Sequence, residues 1–221
     1  MKMKKFIGID LSLNSTAISI ICGNSIKIIS IFKTENNIDR IFEKKDHFSL
    51  IKKCSDVDII LENKKYSTKK EYHINEREKI LSFMRLNELI MESIKDDIND
   101  ETYIGMEGIS FGSTGNSLID ISMATGIVRK SLVERISNDV DRLFIFSPSS
   151  IKKFAGKGNF KKIEMFDAIL KESEIDSEFI KTIGSNREAC VTPKGVVKKP
   201  IEDMVDSIWI CKFLKHQVEN G

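Results

Sequence analysis

The sequence predicts an α/β fold in which helices flank a mixed sheet, and three observations lead to this prediction. Three short apolar runs rich in β-branched residues stand near the start, with turn residues between them. Longer segments with apolar residues at helical spacing follow, and they alternate with further short apolar runs. The length of 221 residues suits a single domain whose core needs neither disulfides nor a structural metal.

The three opening runs have the length of strands and cover residues 6–9, 16–22 and 25–32. Residues 14–15 (Asn-Ser) and 23–24 (Gly-Asn) separate them, and both dipeptides are typical of turns. Short connections of this kind join antiparallel neighbours, so the runs predict a three-strand antiparallel meander.

The later part of the chain alternates between helices and strands, which predicts parallel strands. The predicted helices cover residues 74–98, 116–137, 161–170 and 201–218, and the predicted strands cover residues 102–106 and 143–146. Two charged or polar stretches fit this pattern less well. Residues 33–73 form either an extra hairpin or a poorly ordered excursion, and residues 175–200 end in a loop rich in Gly, Lys and Pro. We therefore expect one domain over residues 1–221, with insertions near 34–73 and 174–200.

Composition excludes several classes of protein. Lys and Arg number 35 against 33 Asp and Glu, so only a local concentration of lysines could indicate a nucleic-acid partner. The four cysteines form neither a CxxC pair nor a zinc-binding cluster with histidine, which favours a reducing environment. No apolar run approaches the ~18–20 residues that span a bilayer. We expect a soluble intracellular protein with no membrane partner.

Four acidic residues stand where predicted elements end or where a helix must pack. Asp10 follows the first apolar run, Glu107 ends a later predicted strand, and Asp203 and Asp206 share one face of the last helix. Each alone could simply cap a helix or start a loop. Together, converging carboxylates repel one another unless divalent cations relieve the repulsion. Oxygen ligands favour Mg²⁺ or Mn²⁺ over zinc, and two such ions ~3.5–4 Å apart can hydrolyse a phosphodiester.

A segment over residues 147–162 contains lysines but no acid, and its Gly156 and Gly158 allow the backbone to approach a phosphate. A solvated lysine loop is the alternative interpretation. Phe111 lies in a loop flanked by glycines, where it could wedge into a base step or simply pack in the core. The candidate DNA-binding residues are Phe111, Lys152, Lys153, Lys157, Lys161, Lys162, Lys198 and Lys199.

Several of these segments resemble a known family. Residues 6–10 (Phe-Ile-Gly-Ile-Asp) resemble the first strand of the RNase H-like superfamily. An Asp on strand one, a Glu on a fourth strand and a final helix with Asp-x-x-Asp resemble the RuvC family of Holliday junction resolvases. Residues 106–111 (Met-Glu-Gly-Ile-Ser-Phe) and 147–158 are similar to further family segments. The resemblance covers most of residues 4–33 and 74–218.

The chain also departs from that family. Residues 11–16 read Leu-Ser-Leu-Asn-Ser-Thr where the bacterial pattern usually has Pro-Gly, and both insertions look longer than the compact family pattern. These differences resemble diverged viral or phage members. They put the specificity for junctions in question more than the metal chemistry.

The resemblance implies an RNase H-like fold and a metal-dependent endonuclease that resolves four-way and other branched DNA by symmetric phosphodiester hydrolysis. It implies that two Mg²⁺ ions, or Mn²⁺ as a substitute, bind Asp10, Glu107, Asp203 and Asp206, and that Lys162 lies near the scissile phosphate. It further implies that Phe111 takes part in junction distortion. It also implies a homodimer through the helix over residues 116–137, which the sequence alone would interpret as an ordinary core helix.

Three other functions remain open at this point. A nuclease of the same fold could act more broadly on flaps, nicked branches or RNA–DNA hybrids. Residues 7–12 (Ile-Gly-Ile-Asp-Leu-Ser) also resemble the first phosphate loop of actin-like nucleotide-binding proteins, although those need a duplicated domain and a longer chain. A DNA-binding module without catalysis is the third, and the presence of all four acids argues against it.

Overall fold

A computed structural model describes residues 3–34, 46–63, 71–109 and 115–221. The strands are β1 (Lys5–Asp10), β2 (Ser15–Cys22), β3 (Ser25–Thr34), β4 (Val57–Asn63), β5 (Thr102–Glu107) and β6 (Leu143–Phe146). The α-helices are α1 (Asp46–Ile51), α2 (Tyr72–Ile94), α3 (Asn116–Arg135), α4 (Pro148–Ala155), α5 (Lys162–Ile169), α6 (Glu178–Ser185), α7 (Arg187–Cys190) and α8 (Ile201–Asn220). Among these described helices, none is both long and apolar enough to cross a membrane.

The six strands form one mixed sheet in the order β4-β3-β2-β1-β5-β6. β1, β2 and β3 pair in antiparallel fashion, whereas β5 pairs in parallel with both β1 and β6. The predicted meander and the predicted parallel strands are therefore confirmed, and so is the α/β class with its mixed sheet.

Alternation along the strands divides the core into two layers. Ile7 and Ile9 of β1 are fully buried on one face, where they pack with Leu86 and Ile90 of α2 and with residues of α3. Phe6 lies on the opposite face with most of α8. Asp10 follows the same alternation as Phe6 and is directed towards the layer that contains α8.

Small residues let α8 lie unusually close to the sheet. A Cβ atom on Gly8 would stand 2.4 Å from the Cys211 backbone nitrogen and 2.5 Å from the Ser207 carbonyl oxygen. The hydroxyl of Ser19 on β2 lies 2.6 Å from the hydroxyl of Ser207 on α8. The contact between Gly8 and α8 fixes the position of α8 along β1.

The two polar stretches differ from the predictions. In the described part of residues 33–73, α1 precedes β4 and β4 pairs in parallel with β3, so these elements do not form the hairpin predicted as one alternative. This additional strand makes the strand that carries Glu107 the fifth in the chain, not the fourth. Residues 175–200, for which no helix was predicted, contain α6 and α7, and Phe179 and Ile183 of α6 are fully buried.

Asp56 explains why the second stretch folds onto the first. Its carboxylate accepts hydrogen bonds from the Ser177 hydroxyl at 2.6 Å and from the Phe179 backbone nitrogen at 3.0 Å. Ser177 in turn caps α6 by accepting from the Ile180 backbone nitrogen at 3.1 Å. The two insertions thus support each other at one end of the sheet.

Candidate active site

Two parallel strands bring the first two acids together. β1 and β5 are paired through Ile9 and Met106, and Asp10 and Glu107 are the next residues of their strands. Both side chains follow the alternation of Gly8 and Gly105, which contact α8. Asp10 and Glu107 therefore stand side by side at the carboxyl edge of the sheet, beneath α8.

Helix α8 brings the other two acids to the same edge. Ser207 contacts Gly8, and Asp203 lies one helical turn before Ser207. Asp203 is 2% exposed and Asp206 is 8% exposed, which is rare for carboxylates. The first turn of a helix suits acidic residues because the helix dipole is positive there. All four sequence-predicted acids thus meet at one place.

The electrostatics of Asp10 reflect this convergence. Burial raises the pKa of Asp10 well above its usual value, and the neighbouring Asp206, Asp203 and Glu107 raise it further. Burial also raises the pKa of Asp206, to about 6, although the Lys162 ammonium opposes the shift. The pKa of Glu107 is raised by burial as well, against the effects of Lys162 and Lys152. Burial is thus the largest cause of all three shifts, and for Asp10 the neighbouring carboxylates add to it.

Two lysines contact these acids directly. Lys162, at the start of α5, donates to Asp206, and its ammonium lies 3.7 Å from the Glu202 carboxylate. Lys199, just before α8, donates to Asp203. Burial lowers the pKa of Lys199, but Asp203, Glu202 and Asp10 outweigh that effect and raise it. The Lys162 pKa is likewise raised, since Asp206 outweighs the effect of burial.

The structure adds site residues that the sequence analysis missed. The Ser15 hydroxyl, buried at the start of β2, donates to Asp203 Oδ2 at 2.5 Å. Glu202 places a fifth carboxylate beside Lys162. The spacing of four residues between Lys199 and Asp203 is the one signal in the sequence that could have indicated their pairing. No comparable local signal links Ser15 to Asp203, because 188 residues separate them.

The chemistry of the donor set fits Mg²⁺ or Mn²⁺. Asp10, Glu107, Asp203 and Asp206 supply only carboxylate oxygens, the ligands that these ions prefer. Within the described ranges, no three Asp, Glu, His or Cys side chains are already arranged around a common ion position. Ammonium groups of Lys162 and Lys199 are bonded to two of the four carboxylates. Three further carboxylates raise the pKa of Asp10 beyond the effect of burial, and a bound divalent cation would relieve that repulsion.

The lysine segment lies beside the acids. Ser147 caps α4, accepting from the Ser150 backbone nitrogen at 3.2 Å, and Pro148 follows at the first helical position. Lys152 lines a small cleft together with Glu107, Lys162 and Asp206. A Cβ atom on Gly156 would stand 2.4 Å from the Phe160 ring, so a larger residue where α4 ends would require that ring to move.

The structure separates the sequence-predicted DNA-binding residues into groups. Lys152, Lys162 and Lys199 lie at the acids, whereas Lys153, Lys157 and Lys161 are exposed nearby on the α4–α5 segment. Lys198 donates to the Ala189 carbonyl oxygen at 2.7 Å. Phe111, the predicted wedge, lies outside the described residues.

Comparisons with known proteins bear on the fold. No protein-family profile matches the chain, and no curated protein matches it. The yeast mitochondrial Holliday junction resolvase Ydc2 matches with a TM-score of 0.50 and 16% identity, over 98% of this chain and 84% of that one. Thermus thermophilus RuvC matches with a TM-score of 0.49 and 13% identity, over 96% and 93% of the two chains. The same enzyme in complex with a Holliday junction substrate matches with a TM-score of 0.49 and 12% identity, over 97% of this chain and 92% of that one. The likeness to the yeast resolvase shows that the chain has the RuvC-like fold predicted from its sequence.

Proposed function

We propose that the chain is a metal-dependent endonuclease that resolves four-way and other branched DNA junctions. The observation that carries this proposal is the convergence of four carboxylates, from β1, β5 and α8, at one edge of the sheet. The fold it shares with a Holliday junction resolvase supports the choice of substrate. Burying acids against one another costs stability, and such a cluster is expected where it binds cations.

In this proposal Asp10, Glu107, Asp203 and Asp206 hold two Mg²⁺ ions. When bound, the ions supply Lewis acidity and lower the pKa of a water molecule for attack on a phosphodiester. The chain's own cations orient the DNA. Lys162, at the cleft with Lys152 and Glu107, donates to oxygens of the scissile phosphate and stabilises the charge that develops there.

The α4–α5 segment is the proposed surface for the DNA backbone. Its exposed Lys153, Lys157 and Lys161 extend the positive charge away from the acids. Contacts of lysines with phosphates give affinity that is independent of sequence and falls with salt. Substrate choice would then depend on the shape of a junction, and sequence preference on other contacts.

Symmetric cleavage of a junction requires two active sites, and we propose that α3 forms a homodimer interface. Ile119 and Met123 of α3 are 58% and 42% exposed, and Leu81 and Met84 of the neighbouring α2 are also exposed. The guanidinium of Arg129 on α3 has two buried nitrogens, Nε and Nη2, without a hydrogen-bond partner among the described residues. A second copy would cover the apolar side chains and could supply an acceptor for Arg129.

The dimer can be tested with Met123→Glu. A carboxylate at the centre of an apolar interface is costly to bury, so we expect sedimentation velocity to show a dimer for the unaltered chain and a monomer for the variant. Val140→Glu, at an exposed apolar residue outside both helices, is the control and should leave the dimer intact. A dimer that persists in Met123→Glu would place the interface elsewhere.

The function is tested with a labelled synthetic four-way junction in Mg²⁺, run beside a linear duplex, a 5′ flap and an RNA–DNA hybrid. We expect paired symmetric nicks in the junction. Asp10→Asn and Asp203→Asn should lose cleavage by at least about a hundredfold, since each removes a metal ligand. Asp176→Asn, an exposed acid at the opposite end of the sheet, is the matched control and should cleave normally.

Other outcomes would change the assignment. Equal cleavage of flaps or hybrids would retain the nuclease and reject the junction specificity. Absence of cleavage on every substrate, with either Mg²⁺ or Mn²⁺, would reject the enzyme.

A further inference from the structure

Both carboxylate oxygens of Asp203 already have partners. Ser15 Oγ donates to Oδ2 at 2.5 Å, and Lys199 Nζ donates to Oδ1. The Asp203 side chain is 3% exposed, so little of it is left for water. Each oxygen keeps a second lone pair, but the enclosed carboxylate leaves little room for a metal ion beside both partners, so we expect a bound ion to replace one of them.

The two partners differ in charge and in freedom to move. Ser15 is neutral, 2% exposed and held in β2, so it can stay bonded to one oxygen while the other binds a cation. The Lys199 side chain is 47% exposed and belongs to the segment just before α8, so its ammonium can turn outward into solvent. A cation next to a metal ion is also strongly repelled by it.

We propose that Lys199 is an internal counter-cation of Asp203 that a divalent metal ion displaces when it binds. Lys199 then stabilises the acid cluster in the metal-free protein and weakens metal binding. This inference rests on the proposed metal site and assigns Lys199 a role that differs from a simple DNA contact. Ser15 is a positioning residue that keeps Asp203 oriented in both states.

The test measures Mn²⁺ affinity of the full chain from the electron paramagnetic resonance signal of free Mn²⁺, without DNA and without turnover. Lys199→Met keeps most of the side-chain length but removes the charge, and we expect it to bind Mn²⁺ about tenfold more tightly or better. Lys199→Arg keeps the charge and should bind as the unaltered chain does. Lys181→Met removes the lysine of another Lys–Asp pair, at the far end of the sheet, and should have no effect.

A second readout is thermal unfolding in EDTA. In EDTA, Lys199→Met should unfold at a lower temperature than the unaltered chain. In separate samples with Mn²⁺ and no EDTA, the melting temperature of Lys199→Met should rise by a larger increment than that of the unaltered chain. Circular dichroism at 20 °C would verify that the variant is folded.

The outcomes separate this inference from the proposed function. If the unaltered chain binds Mn²⁺ but Lys199→Met binds it equally or less tightly, the displacement role of Lys199 is rejected and the metal site stands. If neither protein binds Mn²⁺, both proposals fail. Binding by Lys199→Met alone would support the role of Lys199 most directly.

Discussion

The hydrogen atom that serves as the side chain of Gly8 leaves the space in which α8 lies against β1. The atoms that a Cβ would meet are mainly backbone atoms of Cys211 and Ser207, which cannot turn aside as a side chain could. The position of Asp203 and Asp206 over Asp10 therefore depends on a residue that carries no chemistry of its own. A substitution at Gly8 is expected to affect stability and the site together.

For Gly8→Ala we expect destabilisation of about 3 kcal/mol or more, because the helix must shift to relieve overlaps with backbone. Metal affinity should fall as well, since the shift moves two ligands away from Asp10. Urea denaturation and Mn²⁺ titration would measure the two effects. Gly184→Ala in α6, where the nearest atom is 3.6 Å away, is the control and should be neutral or slightly stabilising. Unchanged stability of Gly8→Ala would contradict the close packing.

Individual residues of the site differ in how well the sequence could predict them. Asp10, Glu107, Asp203 and Asp206 could be predicted because each ends an apolar strand or shares a face of an apolar helix. Lys162 could be predicted as a DNA contact from its lysine-rich segment, whereas its place beside the acids came only from the family resemblance. The contact of Ser15 with Asp203 could not be predicted, because it depends on how α8 is placed over β2.

At the scale of elements, Asp56 joins the two insertions. It lies between α1 and β4, and it accepts hydrogen bonds from the residues that begin α6. The amino end of that helix would otherwise have unpaired backbone donors. One carboxylate thus connects segments that are more than 120 residues apart in the chain.

For Asp56→Ala we expect a loss of roughly 1–2 kcal/mol in the free energy of unfolding, because two helix-start donors lose their acceptor. Chemical denaturation would measure it. Asp58→Ala, two residues further on, removes an exposed carboxylate that pairs with Lys27 at 3.2 Å, and it should cost about 0.5 kcal/mol or less. Equal effects of the two substitutions would show that Asp56 does not join the insertions.

The elements that the sequence predicted were those with clear apolar periodicity, including the meander, α2, α3 and α8. α6 was missed because charged neighbours surround a short apolar set, although Phe179, Ile180 and Ile183 have helical spacing after the capping Ser177. β4 was left ambiguous, because an edge strand between charged segments shows the same pattern as a hairpin. Its parallel pairing with β3 depends on the connection through α1.

For the whole molecule, the acid cluster makes stability depend on pH. The pKa of Asp206 rises from 3.8 to about 6 on folding, so the folded state holds its proton more tightly. Asp10 and Glu107 shift in the same direction. The stability that protonation provides is fully present below the pKa of the unfolded state, and it is lost as pH rises through the pKa of the folded state.

We therefore expect the metal-free protein to lose roughly 2–3 kcal/mol from the Asp206 carboxyl between pH 4 and pH 8. Mg²⁺ should raise the melting temperature much more at pH 8 than at pH 5, because it binds ionised carboxylates. Differential scanning calorimetry in EDTA and in Mg²⁺ would measure both effects. Asp206→Asn should flatten the pH dependence. If the stability of the metal-free unaltered chain and that of Asp206→Asn rose equally from pH 5 to pH 8, the electrostatics described for the cluster would be contradicted.

The order in which the ribosome makes these elements has a consequence for the site. Asp10 emerges early, whereas α8 follows after 190 further residues. At typical synthesis rates the delay is about 10–40 s. During that time the face of Gly8 on β1 and β2 lacks this helix, and at least two of the four acids have not been made. The same helix thus completes both the core of the nascent chain and the set of proposed metal ligands.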